Sequence, residues 1–251
     1  LDQRAAELRE LLPAGAKGIT KNARAVIEGL LLARRDDVVS GFISDVASQL
    51  KDASSGDRTK IAQDIKGVIE VLLSYAKYEL LENLSLTFQE ALKKEKNSGA
   101  YSEMAEVLEE IAVGLIYKEE YKKPLAIIKT FKTELEESRS SDEKKCIQEV
   151  LRGIVSDETI TLLVKSFQPQ GIRDLSGAIE ILNELGVEAE ERLLKLILKE
   201  DTREEPFEVY LRRRNIAFFL TREGSKAGNR LKNALFAAPP EIAIDIIKVF
   251  G

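Results

Sequence analysis

Apolar residues recur at three- and four-residue spacing almost from end to end of this chain, and no stretch alternates cleanly enough to make a strand. A stripe of that period must be buried against another helix, so the pattern restricts the chain to an all-α fold. Ala23, Val26, Ile27, Leu30 and Leu31 form one stripe, and Val39, Phe42, Ile43, Val46 and Leu50 the next. Ile61, Ile65, Val68, Leu72, Leu80, Leu84 and Phe88 continue through residues 57–94. That is too long for one helix in a compact domain, so a break is expected near residues 75–80. Pro13-Ala14-Gly15, Ser54-Ser55-Gly56-Asp57, Gln168-Pro169-Gln170-Gly171 and Pro239-Pro240 separate other stripes. About fourteen short helices are predicted, the first over residues 2–12.

With 251 residues there is room for one large domain or two ordinary ones. Lys96-Asn97-Ser98-Gly99-Ala100 is the best boundary between an N-terminal helical region, 1–98, and a second region, 99–251. Charged residues make up 32% of the chain, above the roughly 25% of an average domain. A high charge beside a normal apolar content implies an elongated molecule. The composition also excludes chemistry. There is no histidine and no tryptophan, and Cys146 is the one cysteine. Imidazole acid–base catalysis, Ser-His-Asp and Cys-His nucleophiles and His- or Cys-rich metal sites are therefore ruled out. A single cysteine gives no sign of an oxidising compartment. No apolar run approaches the ~18 residues of a membrane span. The expectation is a cytoplasmic protein without cofactor or metal. The chain opens on Leu1 and has its one methionine at 104, so it is expected to be part of a longer protein.

The second region contains a repeat. Leu162-Leu163-Val164-Lys165-Ser166-Phe167 aligns with Leu193-Leu194-Lys195-Leu196-Ile197-Leu198 and with Leu231-Lys232-Asn233-Ala234-Leu235-Phe236. Leu125-Ala126-Ile127-Ile128-Lys129-Thr130-Phe131 fits the same slot. Each unit is followed by a second helical stretch, such as Ile172-Arg173-Asp174-Leu175-Ser176-Gly177-Ala178-Ile179-Glu180-Ile181-Leu182-Asn183-Glu184-Leu185-Gly186 or Val209-Tyr210-Leu211-Arg212-Arg213-Arg214-Asn215-Ile216-Ala217-Phe218-Phe219-Leu220. An aliphatic–Arg opening, small residues and an aliphatic run ending near glycine make residues 120–251 resemble the bacterial HEAT-like helical repeats. The resemblance implies an α-α superhelix, a right-handed solenoid of stacked helix pairs. Residues 1–98 are then divergent repeats or a helical cap. It also implies a non-catalytic scaffold or adaptor that binds a protein. The same pattern leaves open a regulatory or enzymatic helical-repeat domain that uses carboxylates alone.

The sharpest charged feature is Arg212-Arg213-Arg214, within a segment, 203–232, of net charge +4 in a chain of −5. Arg212, Arg213, Arg222, Lys226 and Arg230 are the candidate partner-binding residues, suited to an acidic or phosphorylated protein. Three successive helical residues span about 200°, so they cannot share one face, and at least one is expected to pack inward. The acidic total and the lack of a recognisable motif argue against nucleic acid, though a phosphate- or nucleic-acid-binding module through 203–232 is the alternative. In the cluster Glu106, Glu109 and Glu110, Glu106 and Glu110 stand one turn apart and could share a cation or form a carboxylate pair, but the cluster reads as a solvated face. Cys146 reads as a half-buried apolar residue, and the tyrosines as packing residues with wet hydroxyls. The apolar end Ile244-Asp245-Ile246-Ile247-Lys248-Val249-Phe250 offers a route to self-association.

Overall fold

Nearly every apolar stripe becomes a helix. The computed structural model describes residues 22–137, 140–165, 175–198, 206–222 and 225–250, and among them are thirteen α-helices and no strand. In the first part of the chain they are α1 (Ala23–Leu32), α2 (Asp36–Asp52), α3 (Ser55–Ser74), α4 (Tyr78–Leu92), α5 (Ser98–Tyr117) and α6 (Lys122–Glu137). There follow α7 (Ser141–Ile154), α8 (Asp157–Lys165), α9 (Leu175–Leu185) and α10 (Val187–Leu198). The last three are α11 (Pro206–Arg222), α12 (Ser225–Ala237) and α13 (Pro240–Phe250). The helix expected over 2–12 and the Gln168–Gly171 breaker lie outside the described residues.

The break expected near 75–80 falls at Tyr75–Lys77, where Ala76 takes a φ of +54°. The same turn occurs twice more. Arg34 joins α1 to α2 at φ +56°, and Glu119 joins α5 to α6 at φ +61°, so the three positions stand 42 and 43 residues apart. Each turn is closed by the bond of a Schellman C-cap: Arg35 N–H to the Leu30 carbonyl (2.9 Å), Lys77 to Leu72 (2.8 Å) and Glu120 to Leu115 (3.0 Å). The repetition therefore runs through residues 22–121, where the sequence resemblance is faint.

Packing follows the same beat. α1 packs on α3, α3 on α5 and α5 on α7, while α2 packs on α4 and α4 on α6. Beyond that, α6 packs on α9, α8 on α10, α10 on α12 and α11 on α13. Side chains bridge helices at intervals that cluster near forty residues, from Arg192 to Asp157 at 35 to Lys123 to Glu79 at 44. Ser55 to Glu95, Gln63 to Glu103, Lys66 to Glu106 and Arg230 to Glu190 are all forty residues apart. One buried cluster extends from Ala23 to Ile246, crossing the turn at 96–97. There Asn97 caps α5 through the Ala100 N–H (3.0 Å) and α5 then packs on α3, so the core is continuous across this turn although residues 96–99 themselves are exposed.

Side chains of one helix close the open carbonyl end of another in several places. Arg58 reaches the Leu50 and Lys51 carbonyls of α2 (3.2 and 3.3 Å), and Lys132 reaches Leu185 at the end of α9 (3.4 Å). Arg213 reaches Ile197 at the end of α10 (3.2 Å), and Asn215 reaches Val164 at the end of α8 (3.3 Å). The last carbonyls of a helix have no partner within it and carry the negative end of its dipole, so cationic and amide donors suit them.

Candidate functional site

α11 is where the sequence expectation and the structure part. The periodic reading buries Phe207, Tyr210, Leu211, Ala217 and Phe218. Instead Phe207, Tyr210 and Phe218 are exposed, at 68%, 41% and 59% of their surface. The buried face carries Arg212, Arg213, Asn215, Ile216, Ala217, Phe219 and Leu220. The reason is the capping just described: α8 and α10 both end against this face, and Arg213 and Asn215 serve their carbonyls.

That placement corrects the basic ridge. Arg212 and Arg213 are 7% and 6% exposed, so they are not offered to a partner. Arg214 is the member of the triplet that faces solvent. Arg230 is exposed and pairs with Glu190 of α10 at 3.2 Å. The side chains of Arg222 and Lys226 lie outside the described part of the structure.

What α11 exposes is a stripe. Positions 207, 210, 214, 218 and 221 follow three- and four-residue spacing and all are exposed. Thr221, at the end of the stripe, is also a wall of a groove of about 470 Å³. Leu231, Leu235, Ala243 and Ile247 line that groove, with Phe236 and Lys232. Phe236 is 81% exposed, and Ile244 and Ile247 are each more than half exposed. Thr221 is the one residue that the stripe and the groove share. The single residues were legible in the sequence, but their side of the helix was not, because arginine on an apolar face reads as surface.

A second groove, of about 560 Å³, opens between α3, α5 and α7. Glu106, Glu109, Glu110 and Glu149 line it with Lys66, Ser102 and Cys146. Lys66 holds Glu106 at 2.8 Å and Glu103 at 3.6 Å. Glu109 turns toward α7, where a Cβ on Gly153 would lie 1.7 Å from its carboxylate oxygen, so glycine is needed for the close approach. Burial, reinforced by Glu106, pushes Glu109 up to about 7 against the opposing pull of Lys66. Burial also raises Glu110. These two glutamates are therefore not a freely solvated face. Among the described residues no group of three or more His, Cys, Asp or Glu is arranged to hold a metal ion.

Cys146 is half-buried, and desolvation raises its thiol, which opposes the thiolate a reactive cysteine needs. Tyr101 departs from the expectation of wet hydroxyls. It is buried, its hydroxyl has no hydrogen-bond partner among the described residues, and burial keeps it protonated far above its usual range. None of the described helices is long and apolar enough to cross a membrane. No protein-family model, curated protein or solved structure matches the chain.

Proposed function

We propose that the chain is a right-handed α-α superhelix of HEAT-like helix pairs, working as a non-catalytic scaffold that holds a protein partner. The binding half of this reading is carried by α11–α13, where Phe207, Tyr210, Phe218, Phe236, Ile244 and Ile247 are all exposed and Phe236 and Ile247 line one groove. Contiguous apolar surface on a protein otherwise rich in charge is the usual mark of an interaction site. The superhelical half is supported by the recurring turn, by side-chain bridges of about forty residues and by the packing of each helix on the next but one from α1 to α7. Intervals of about 40 residues suit paired-helix repeats. Stacked pairs share one core and leave both outer faces in water, which suits a chain with 32% charged residues. The non-catalytic half rests on composition, because a chain without histidine lacks the commonest acid–base group.

Affinity capture from the source cells' lysate tests the reading, with Phe207→Glu/Phe218→Glu run beside the native chain. A protein held by the native chain and lost by the variant is the expected result. Capture of nothing, or capture indifferent to the substitutions, contradicts it.

A further inference from the structure

Glu109 stands where α5 and α7 approach each other closely. Its carboxylate fills the place that a side chain on Gly153 would take, so the glycine lets the two helices close over it. The groove between α3, α5 and α7 then gathers four carboxylates around one ammonium: Glu106, Glu109 and Glu110 of α5 and Glu149 of α7, with Lys66 of α3. Lys66 is engaged by Glu106 at 2.8 Å and Glu103 at 3.6 Å, and Glu149 has Lys145 at 4.0 Å. Glu110 is also repelled by Glu70 of α3, which pairs with Arg24 of α1 at 2.7 Å. Cys146 of α7 lines the same groove, and burial raises its thiol, which therefore stays neutral near pH 7. Among the described residues, α4, α6 and α8, which also pack on α5, place no charged group in the lining.

A neutral Glu109 carboxyl fits against the backbone of Gly153. An ionised one stands partly desolvated among three like charges, with no cation of its own. The α3 side of the groove can hold negative charge through Lys66, whereas the α7 side offers Glu149 and a bare glycine. Relief therefore comes from parting α7 from α5. Burial, reinforced by Glu106 and opposed by Lys66, puts this ionisation at about 7.

We infer that Glu109 is a proton-operated latch: protonated, it lets the C-terminal half of α7 close on α5, and ionised, it opens that seam and admits water to the groove. Closure raises Glu109 from an ordinary 4.5, so the closed seam is favoured in full below that pH and weakens as pH rises past 7. The latch stands apart from the α11–α13 face and does not depend on the scaffold reading.

Cys146, the one cysteine of the chain, reports on the groove directly. The test is its alkylation rate with iodoacetamide from pH 6 to 8, for the native chain, Glu109→Gln and Gly153→Ala. Below its own titration a thiol gains tenfold in rate per pH unit through thiolate formation alone. The native chain is expected to exceed that line by at least about fivefold at pH 8. Glu109→Gln should stay on the line, and so should Gly153→Ala, whose methyl evicts the carboxylate from the seam. Local opening exposes little surface, so the excess should be unchanged in 1 M urea. A native rate that keeps to the line means that the ionised side chain swings out with α7 in place, and overturns the inference. An excess that survives in Glu109→Gln, or one that grows with urea and so reports global unfolding, overturns it too.

Discussion

Glu95 and Glu109 are both buried from most of the solvent, and their surroundings drive them in opposite directions. Burial alone would raise Glu95, but its carboxylate accepts from Ser55 Oγ (2.7 Å), Arg58 (2.9 Å) and the Lys96 and Asn97 N–H groups (both 2.9 Å). These bonds hold it down to about 2 from an ordinary 4.5. Its folded-state value is depressed, so the stability it contributes is complete above about pH 4.5 and is lost as pH falls toward 2. The amount is ~3 kcal/mol. Glu109 has no such donors and is pushed up to about 7 by burial and by Glu106. It favours the folded state only while protonated, so stability falls as pH rises from about 4.5 to 7, by at most about 3 kcal/mol. Chemical denaturation across pH 3–8 should therefore give a maximum near pH 5. Glu109→Gln should flatten the descent from pH 5 to 7 and leave the acid limb in place. Glu95→Gln should destabilise at pH 7 by about 3 kcal/mol, since it leaves Arg58 buried beside a neutral amide.

Elements were legible in the sequence where the side chains used the common code. The stripes of α1 to α4 lie where the three- and four-residue spacing puts them, and Gly186, the glycine that closes an aliphatic run, follows the end of α9 with a φ of +62°. The recurring turn over residues 22–121 was hidden because its left-handed positions are Arg34, Ala76 and Glu119 rather than glycine. A non-glycine residue there costs about 1 kcal/mol, and glycine relieves it. Ala76→Gly should accordingly raise the unfolding free energy by about 0.5–1 kcal/mol, read as a higher thermal midpoint. A lower midpoint would mean that the turn does not hold this conformation. α11 was misread for a different reason. Its buried side serves the carbonyl ends of α8 and α10, a need set by neighbours remote in the sequence and invisible to periodicity. Likewise Gly114 sits in mid-helix because Leu73 of α3 packs where its Cβ would be, at 2.3 Å.

Across the whole molecule, stability should grade along the stack, because each helix relies on its immediate neighbours. α5 lies against α3, α4, α6, α7 and α8, whereas α13 lies against α11 and α12. Amide hydrogen exchange is expected to be slowest in α3 and α5 and fastest in α12 and α13. Uniform protection from α1 to α13 would instead describe one all-or-none globule. The account depends most on which way α11 faces, since the exposed apolar surface and the buried arginines follow from that one orientation. Thermal and denaturant unfolding of Phe218→Ser and Arg213→Ala, side by side, tests it directly. With α11 placed as described, Phe218→Ser changes stability by less than ~0.5 kcal/mol, and Arg213→Ala lowers it by about 2 kcal/mol through loss of the charged cap on α10. Severe destabilisation by Phe218→Ser with little effect of Arg213→Ala would mean that α11 buries its aromatics after all, and would remove the proposed binding face.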